Sequence, residues 1–105
     1  MPWVYLLVAG VLEIVWAYAM KQSDGFSRLI PSVITISAMV VSFWLLAVAM
    51  RTIPLGTAYT IWTGIGAVGA FVVGIAVMAE PVTAARITAA ILIVSGLVLM
   101  KLSSA

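Results

Sequence analysis

The first apolar run of the chain, residues 3–20, contains a single charged side chain, Glu13. A helix of about 20 apolar residues spans the hydrocarbon core of a bilayer, so the Glu13 carboxylate is expected near the membrane midplane. An ionised side chain there costs about 3 kcal/mol even on the more lenient insertion scale, and such residues usually face a cavity on an ion or proton pathway. We therefore expect Glu13 to bind a cation, a proton, or both in alternation.

Two other interpretations of this run are weaker. Glu13 could reach the membrane surface from a helix end, or the run could be a signal peptide, since Ala17-Tyr18-Ala19 resembles a cleavage site. However, the run has no Lys or Arg before it, Glu13 interrupts it, and both of its ends are about two helical turns or more away. The intramembrane interpretation is therefore preferred.

The composition extends this argument to the whole chain. Of its 105 residues, 66% are hydrophobic and 8% are charged. Four helices of about 20 residues with short connections would use nearly all of it. We predict an all-α integral membrane protein: one transmembrane domain over residues 1–105, with helices at about 3–20, 30–50, 57–79 and 84–101.

The polar residues exclude several function classes. The net charge is +2, and the basic residues are scattered singly, which argues against a nucleic-acid partner. The chain has no Cys and no His, so thiolate metal sites are excluded and proton chemistry near neutral pH must rely on a carboxyl group. No enzyme signature is present, and we expect neither a metal nor another cofactor.

Side chains near the depth of Glu13 complete a candidate site. Gly10 and Trp16 lie three residues to either side and share its helix face, so Gly10 should leave space beside the carboxylate and Trp16 should supply an aromatic wall. Packing against another helix is the alternative role of Trp16. Ser42 lies at a similar depth in the second span, where its hydroxyl could donate a hydrogen bond to Glu13. For the other hydroxyl groups of that span, a bond to their own i−4 carbonyl is the simpler expectation.

The third span combines aromatic residues and glycines. Tyr59 and Trp62 share one face, and a stripe of small residues follows them, which is typical of close helix packing. The glycines are denser than packing requires, and we interpret Gly64, Gly66 and Gly69 as a hinge.

The fourth span carries no polar group suited to chemistry. Its small residues Ala89 and Gly96 are seven apart on one face, so we expect them to pack in a dimer. A four-helix monomer this small could hardly enclose a polar site. Three of the five basic residues would fall on one side of the membrane and two on the other, a bias weak enough for insertion in both orientations. An antiparallel, dual-topology homodimer with two Glu13 residues near one midplane site is therefore possible.

Motifs along the chain resemble the small multidrug resistance family, and within it the guanidinium exporter subtype. They are Gly10-x-x-Glu13-x-x-Trp16-Ala17, Gly25-Phe26-Ser27-Arg28-Leu29-x-Pro31-Ser32 and Pro54-x-Gly56-Thr57-Ala58-Tyr59-x-x-Trp62-Thr63-Gly64-Ile65-Gly66-Ala67. Thr60 stands where a small apolar residue is common in the subtype, and Ser27 stands where Thr is common. These differences concern the preference among similar substrates and not the substrate class.

The resemblance implies a multi-pass protein of the bacterial inner membrane that works as an antiparallel dimer. Glu13 would be the shared proton and substrate site, and the residues that match the subtype's binding site are Trp16, Ser42, Tyr59 and Trp62, with Gly10 lining the same space. Trp16 indicates the guanidinium subtype, because the polyspecific exporters carry a small residue there.

The expected function is proton-coupled antiport that exports guanidinium and small guanidinyl cations such as guanylurea, with alternating access. The alternatives are a polyspecific exporter of quaternary ammonium and other lipophilic cations, a dual-topology cation channel, and a structural membrane subunit.

Overall fold

The computed structural model describes residues 1–103, which form four helices. Their bounds are α1 Pro2–Gln22, α2 Leu29–Ala49, α3 Leu55–Met78 and α4 Ala84–Ser103. Each helix is long and apolar enough to cross a membrane. The four predicted helices are confirmed, and their ends differ from the prediction by at most two residues, because hydrophobic length and turn residues are local properties of the sequence.

The helices form a flat layer rather than a closed bundle. α1 packs against both α2 and α3, α2 and α3 meet at few places, and α4 packs against α3. The chain measures 43 × 35 × 16 Å, so it is much thinner in one direction than in the other two. Most of its side chains therefore lie at or near the surface of the layer.

One end of the layer is closed by a hydrophobic core. This closed end lies toward the α2–α3 connection, and its buried side chains come from the start of α1, the end of α2 and the start of α3: Leu6, Ala9, Leu46, Ala49, Ile53, Ala58, Ile61 and Trp62. Several of these are alanines, which allow the helix backbones to approach closely. The opposite end, near the α1–α2 connection, contributes no side chain to this cluster.

The α1–α2 connection is an ordered turn built around Ser23. The Ser23 hydroxyl donates to the carbonyl of Met20 at 2.6 Å and accepts the backbone N–H of Phe26 at 3.0 Å. Asp24, Gly25 and Phe26 all have positive φ, a backbone conformation that tight turns use. This turn sets the position of Arg28, the residue that precedes α2.

α4 is the most exposed helix, and none of its described residues is buried. It is held at both ends by cations over aromatic rings: Arg86 lies 5.8 Å from the ring centroid of Phe71, and the Lys101 ammonium lies 4.5 Å from that of Trp3. Leu97 and Met100 pack against the hydrophobic core, while most of the other large apolar side chains of α4 are exposed, as expected for a surface that contacts lipid or another chain.

Candidate functional site

Glu13 lies in the middle of α1 and is half-buried against α3. Its carboxyl group lies directly against Gly66, so that a methyl group at position 66 would collide with it. The Oε1 atom is buried and has no hydrogen-bond partner among the described residues. Burying a polar atom without a partner is costly, so this oxygen is available to a proton or to a ligand that donates a hydrogen bond.

Within one chain, Gly66 provides the space beside the carboxylate. A Cβ atom at Gly10 would lie 2.7 Å from the Ile65 side chain, which already fills the position beside it. Gly10 is buried and brings α1 close to α3. The structure thus places Gly10 against Ile65, and the expectation that it lines the space of the carboxylate stays a prediction.

Ser42 is fully buried and joins all three inner helices. Its hydroxyl donates to the carbonyl of Ala9 in α1 at 2.7 Å and accepts the indole N–H of Trp62 in α3 at 3.1 Å. The expected hydrogen bond from Ser42 to Glu13 is not the one that forms, since the single hydroxyl proton goes to Ala9. In a regular helix the backbone N–H of Glu13 also donates to the Ala9 carbonyl. Ser42 therefore contacts and stabilises the α1 turn that carries the carboxylate.

The aromatic side chains form a connected row across the three helices. Trp16 meets Phe43 edge to face at 6.2 Å between ring centroids, Phe43 meets Trp62 at 5.7 Å, and Trp62 meets Tyr59 at 5.6 Å. The row links three of the predicted site residues through Phe43, which sequence reasoning missed. The signal was present, since Phe43 follows Ser42 at the same membrane depth.

Trp16 contributes a second unpaired polar atom. Its indole Nε1 is buried and has no hydrogen-bond partner among the described residues, just as Glu13 Oε1 has none. The two side chains are three residues apart on α1 and therefore lie on neighbouring positions of one face. The Trp16 indole N–H is a hydrogen-bond donor, and Glu13 Oε1 is an acceptor when the carboxyl group is ionised. This face of α1 therefore carries one donor and one acceptor without partners among the described residues.

Comparison with known proteins identifies the family. The family model described as Small Multidrug Resistance protein matches residues 1–94. The chain belongs to the small multidrug resistance family. It is 56% identical over 104 residues to a protein named guanidinium exporter from Salmonella typhimurium (strain LT2), and the match covers 99% of each chain. Proteins of the same name from Citrobacter freundii and Escherichia coli (strain K12) are 54% and 53% identical over the same length.

The family and the four apolar helices together make this a multi-pass membrane protein. The family resemblance drawn from the motifs is confirmed. Within this member of the small multidrug resistance family, the structure brings Glu13 against Gly66, Ser42 against Trp62, and Trp16 to Tyr59 through the aromatic row.

The glycines of α3 lie where other helices approach most closely. α3 runs without a break through Gly64, Gly66 and Gly69, and an added methyl group would collide with Leu97, Glu13 and Ile14, respectively. The argument that these glycines exceed the needs of packing is therefore wrong, since each one accommodates a neighbouring side chain. Their role as a hinge stays a prediction.

The predicted dimer-packing residues of α4 remain open to a partner. Ala89 and Gly96 are both exposed, and a methyl group added at Gly96 would meet no atom within 4 Å. Gly96 lines a groove between α3 and α4, together with Tyr59 and Leu92. Ala89 lines a separate cavity beside Phe71 and Arg86, so the two small residues do not share one groove.

Proposed function

We propose that the protein exports guanidinium and small guanidinyl cations across the bacterial inner membrane in exchange for protons. The observation that carries the proposal is the Glu13 carboxylate, which lies at mid-span against Gly66 with a buried oxygen that lacks a partner. The names of relatives at 53–56% identity over nearly the whole chain support the substrate class.

Guanidinium matches the groups that this site offers. It is a planar cation with N–H donors in a fixed fork, and it can form two parallel hydrogen bonds with a carboxylate. The row of Trp16, Phe43, Trp62 and Tyr59 provides aromatic faces and edges near the same turn of α1, where a flat cation can stack. A tetra-alkylammonium ion has no N–H group and would leave the buried carboxylate oxygen without a hydrogen bond.

Exchange follows from competition at one carboxylate. When Glu13 is protonated it has no negative charge to pair with guanidinium, and when it holds guanidinium there is no site for the proton. If the carboxylate is open to one side of the membrane at a time, each transit carries a cation one way or protons the other. Bending of α3 at Gly64, Gly66 and Gly69 is the proposed movement.

The working unit is proposed to be an antiparallel homodimer. Glu13 is only half-buried within one chain, and a second copy would complete its enclosure. The exposed small residues Ala89 and Gly96 of α4 are the proposed packing surface. Opposed orientations would present the same site to each side of the membrane in turn.

The test is proton movement in proteoliposomes that contain a pH-sensitive dye, measured after addition of guanidinium. Guanidinium should drive proton flux, Glu13→Gln should abolish it, and Glu80→Gln should keep it, because Glu80 is exposed outside the helices. A tetra-alkylammonium ion serves as comparator.

Each alternative has its own outcome in the same assay. Flux driven only by the tetra-alkylammonium ion would indicate a polyspecific exporter. Cation flux without stoichiometric proton movement would indicate a channel. If Glu13→Gln behaves like the unmodified protein, the exchange mechanism is wrong.

A further inference from the structure

A large apolar groove runs along α1 between the edges of α2 and α3. It has a volume of about 610 Å³, and its walls include Ile14, Tyr18 and Gln22 of α1, Ile34 of α2, Val77 of α3, and Arg28. We name it the α1 groove. It lies at the end of the layer opposite the hydrophobic core, where α2 and α3 are apart.

The α1 groove is separate from the candidate site. Ile14, Tyr18 and Gln22 recur at i, i+4 and i+8 and therefore form one stripe along α1. Neither Glu13 nor Trp16 lines the groove, and neither does any member of the hydrophobic core. The exchange mechanism therefore leaves this groove without a role.

The length and depth of the groove match one leaflet of a bilayer. Ile14 follows the midplane residue Glu13, and Gln22 is the last residue of α1. Gln22 is eight positions after Ile14, a rise of about 12 Å along the helix, and half of the hydrocarbon core is about 15 Å. The groove thus begins near the membrane midplane and ends at headgroup level.

The headgroup end of the groove is polar and positively charged. Arg28 and Gln22, the last residue of α1, lie there. The Ser23 turn holds Arg28 in place, since the Arg28 backbone N–H donates to the Ser23 carbonyl at 3.0 Å. The guanidinium itself is exposed and is not used in a hydrogen bond or ion pair with the described residues.

The other charged groups at this end do not line the α1 groove. Asp24 lies in the connecting turn, Lys21 and Glu80 line a different cavity, and Arg86 lies over Phe71. Arg28 is therefore the charged group at the mouth of the groove among the described residues.

We propose that the α1 groove binds one acyl chain of an anionic phospholipid whose phosphate pairs with Arg28. The Arg28 guanidinium can donate two parallel N–H groups to a phosphate. Below Arg28, the apolar walls of the groove are long enough to contact an acyl chain. Charge and depth together favour this occupant, because a lipid has its anionic group at the level of Arg28 and its chain at the level of Ile14. The inference does not depend on which cation the protein exports.

The test is lipid retention by the purified full-length protein in detergent, measured by native mass spectrometry. The probes are phosphatidylglycerol and phosphatidylcholine with the same acyl chains. The unmodified protein should retain phosphatidylglycerol about fivefold more than phosphatidylcholine, as expected for one arginine near an anionic headgroup. Glycerol phosphate, which has the charge but no chain, should not displace the lipid.

Three variants separate the parts of the site. Arg28→Gln should remove the preference for phosphatidylglycerol, and Arg28→Lys should keep most of it. Together, these results would show that Arg28→Gln loses the preference because it loses the charge, and not because it misfolds. Arg86→Gln is the matched control on the same side of the membrane and should keep the preference. Val15→Phe adds volume in the groove and should lower retention of both lipids.

Several results would overturn the proposal. One is equal retention of the two lipids by the unmodified protein, and another is an unchanged preference in Arg28→Gln. If glycerol phosphate displaces the lipid, the site binds a phosphate group but not an acyl chain. If Val15→Phe changes the oligomeric mass and leaves lipid retention unchanged, a second copy of the chain covers the groove instead.

Discussion

The two ends of the helix layer differ in how they are held together. At the closed end, near the α2–α3 connection, alanines and the Ser42–Trp62 hydrogen bond bring α1, α2 and α3 into one core. At the opposite end, near the α1–α2 connection, the larger side chains of Ile34 and Val77 line the α1 groove. Glu13 lies between these ends, where a change in packing at either one can alter access to the carboxylate.

This difference matters for transport because a carrier needs one side closed while the other is accessible. The closed end is stabilised by buried apolar area and by hydrogen bonds between helices. The other end has an ordered turn and buried side chains of α1 and α2, such as Ala19 and Thr35, but among the described residues it contributes none to the hydrophobic core. The predictions that follow test this asymmetry and the position of Glu13 within it.

The largest effect is expected for Glu13→Gln. The amide keeps the shape of the side chain but cannot pair as an anion, so guanidinium-driven proton flux in proteoliposomes should fall by about 100-fold or more. Glu13→Asp keeps the charge and should retain measurable flux. Full activity of Glu13→Gln would show that the carboxylate is not the coupling site.

Gly66→Ala should have the next largest effect. The new methyl group would collide with the Glu13 carboxyl and displace it, and if the cost of about 1–3 kcal/mol for such overpacking falls on the binding site, guanidinium affinity should decrease by about 5- to 150-fold. Gly56→Ala on the same helix is the matched control, since its methyl group would meet no atom within 4 Å. Isothermal titration of the purified protein measures both, and equal affinities for the two variants would contradict the role of Gly66.

Guanidinium affinity should depend on pH through Glu13. As pH falls, protons occupy the carboxylate and remove the charge that holds the cation, so affinity should decrease by at most about tenfold per pH unit for each competing proton. As pH rises, affinity should increase and then level off. Titrations at several pH values would measure this, and a pH-independent affinity would argue against a shared site.

Ser42→Ala tests the closed end and should mainly affect stability. The change removes the hydrogen bond to Ala9 and leaves the buried indole N–H of Trp62 without an acceptor, which should lower the free energy of unfolding by about 1–3 kcal/mol. Ser37→Ala, an exposed hydroxyl of the same helix, is the control. Denaturation in mixed micelles compares them, and equal stabilities would mean that the Ser42 bonds do not hold this end.

Some side-chain contacts could be predicted because they depend only on nearby residues. The hydroxyls of Ser32 and Thr35 donate to the carbonyls four residues before them, as expected for membrane helices. The Asp24-Gly25 turn has the same local origin. In contrast, the partner of Ser42 was predicted wrongly, because the choice between Ala9 and Glu13 depends on how α2 is rotated against α1.

The four spans and the mid-span position of Glu13 follow from the sequence alone, since hydrophobic length and charge placement are properties of single segments. The motifs also identify the family. Helix packing, in contrast, places Gly66 against the carboxylate and Gly10 against Ile65, adds Phe43 to the aromatic row, and ends the α1 groove at Arg28. These features depend on helix rotation and tilt, which follow from packing between distant segments.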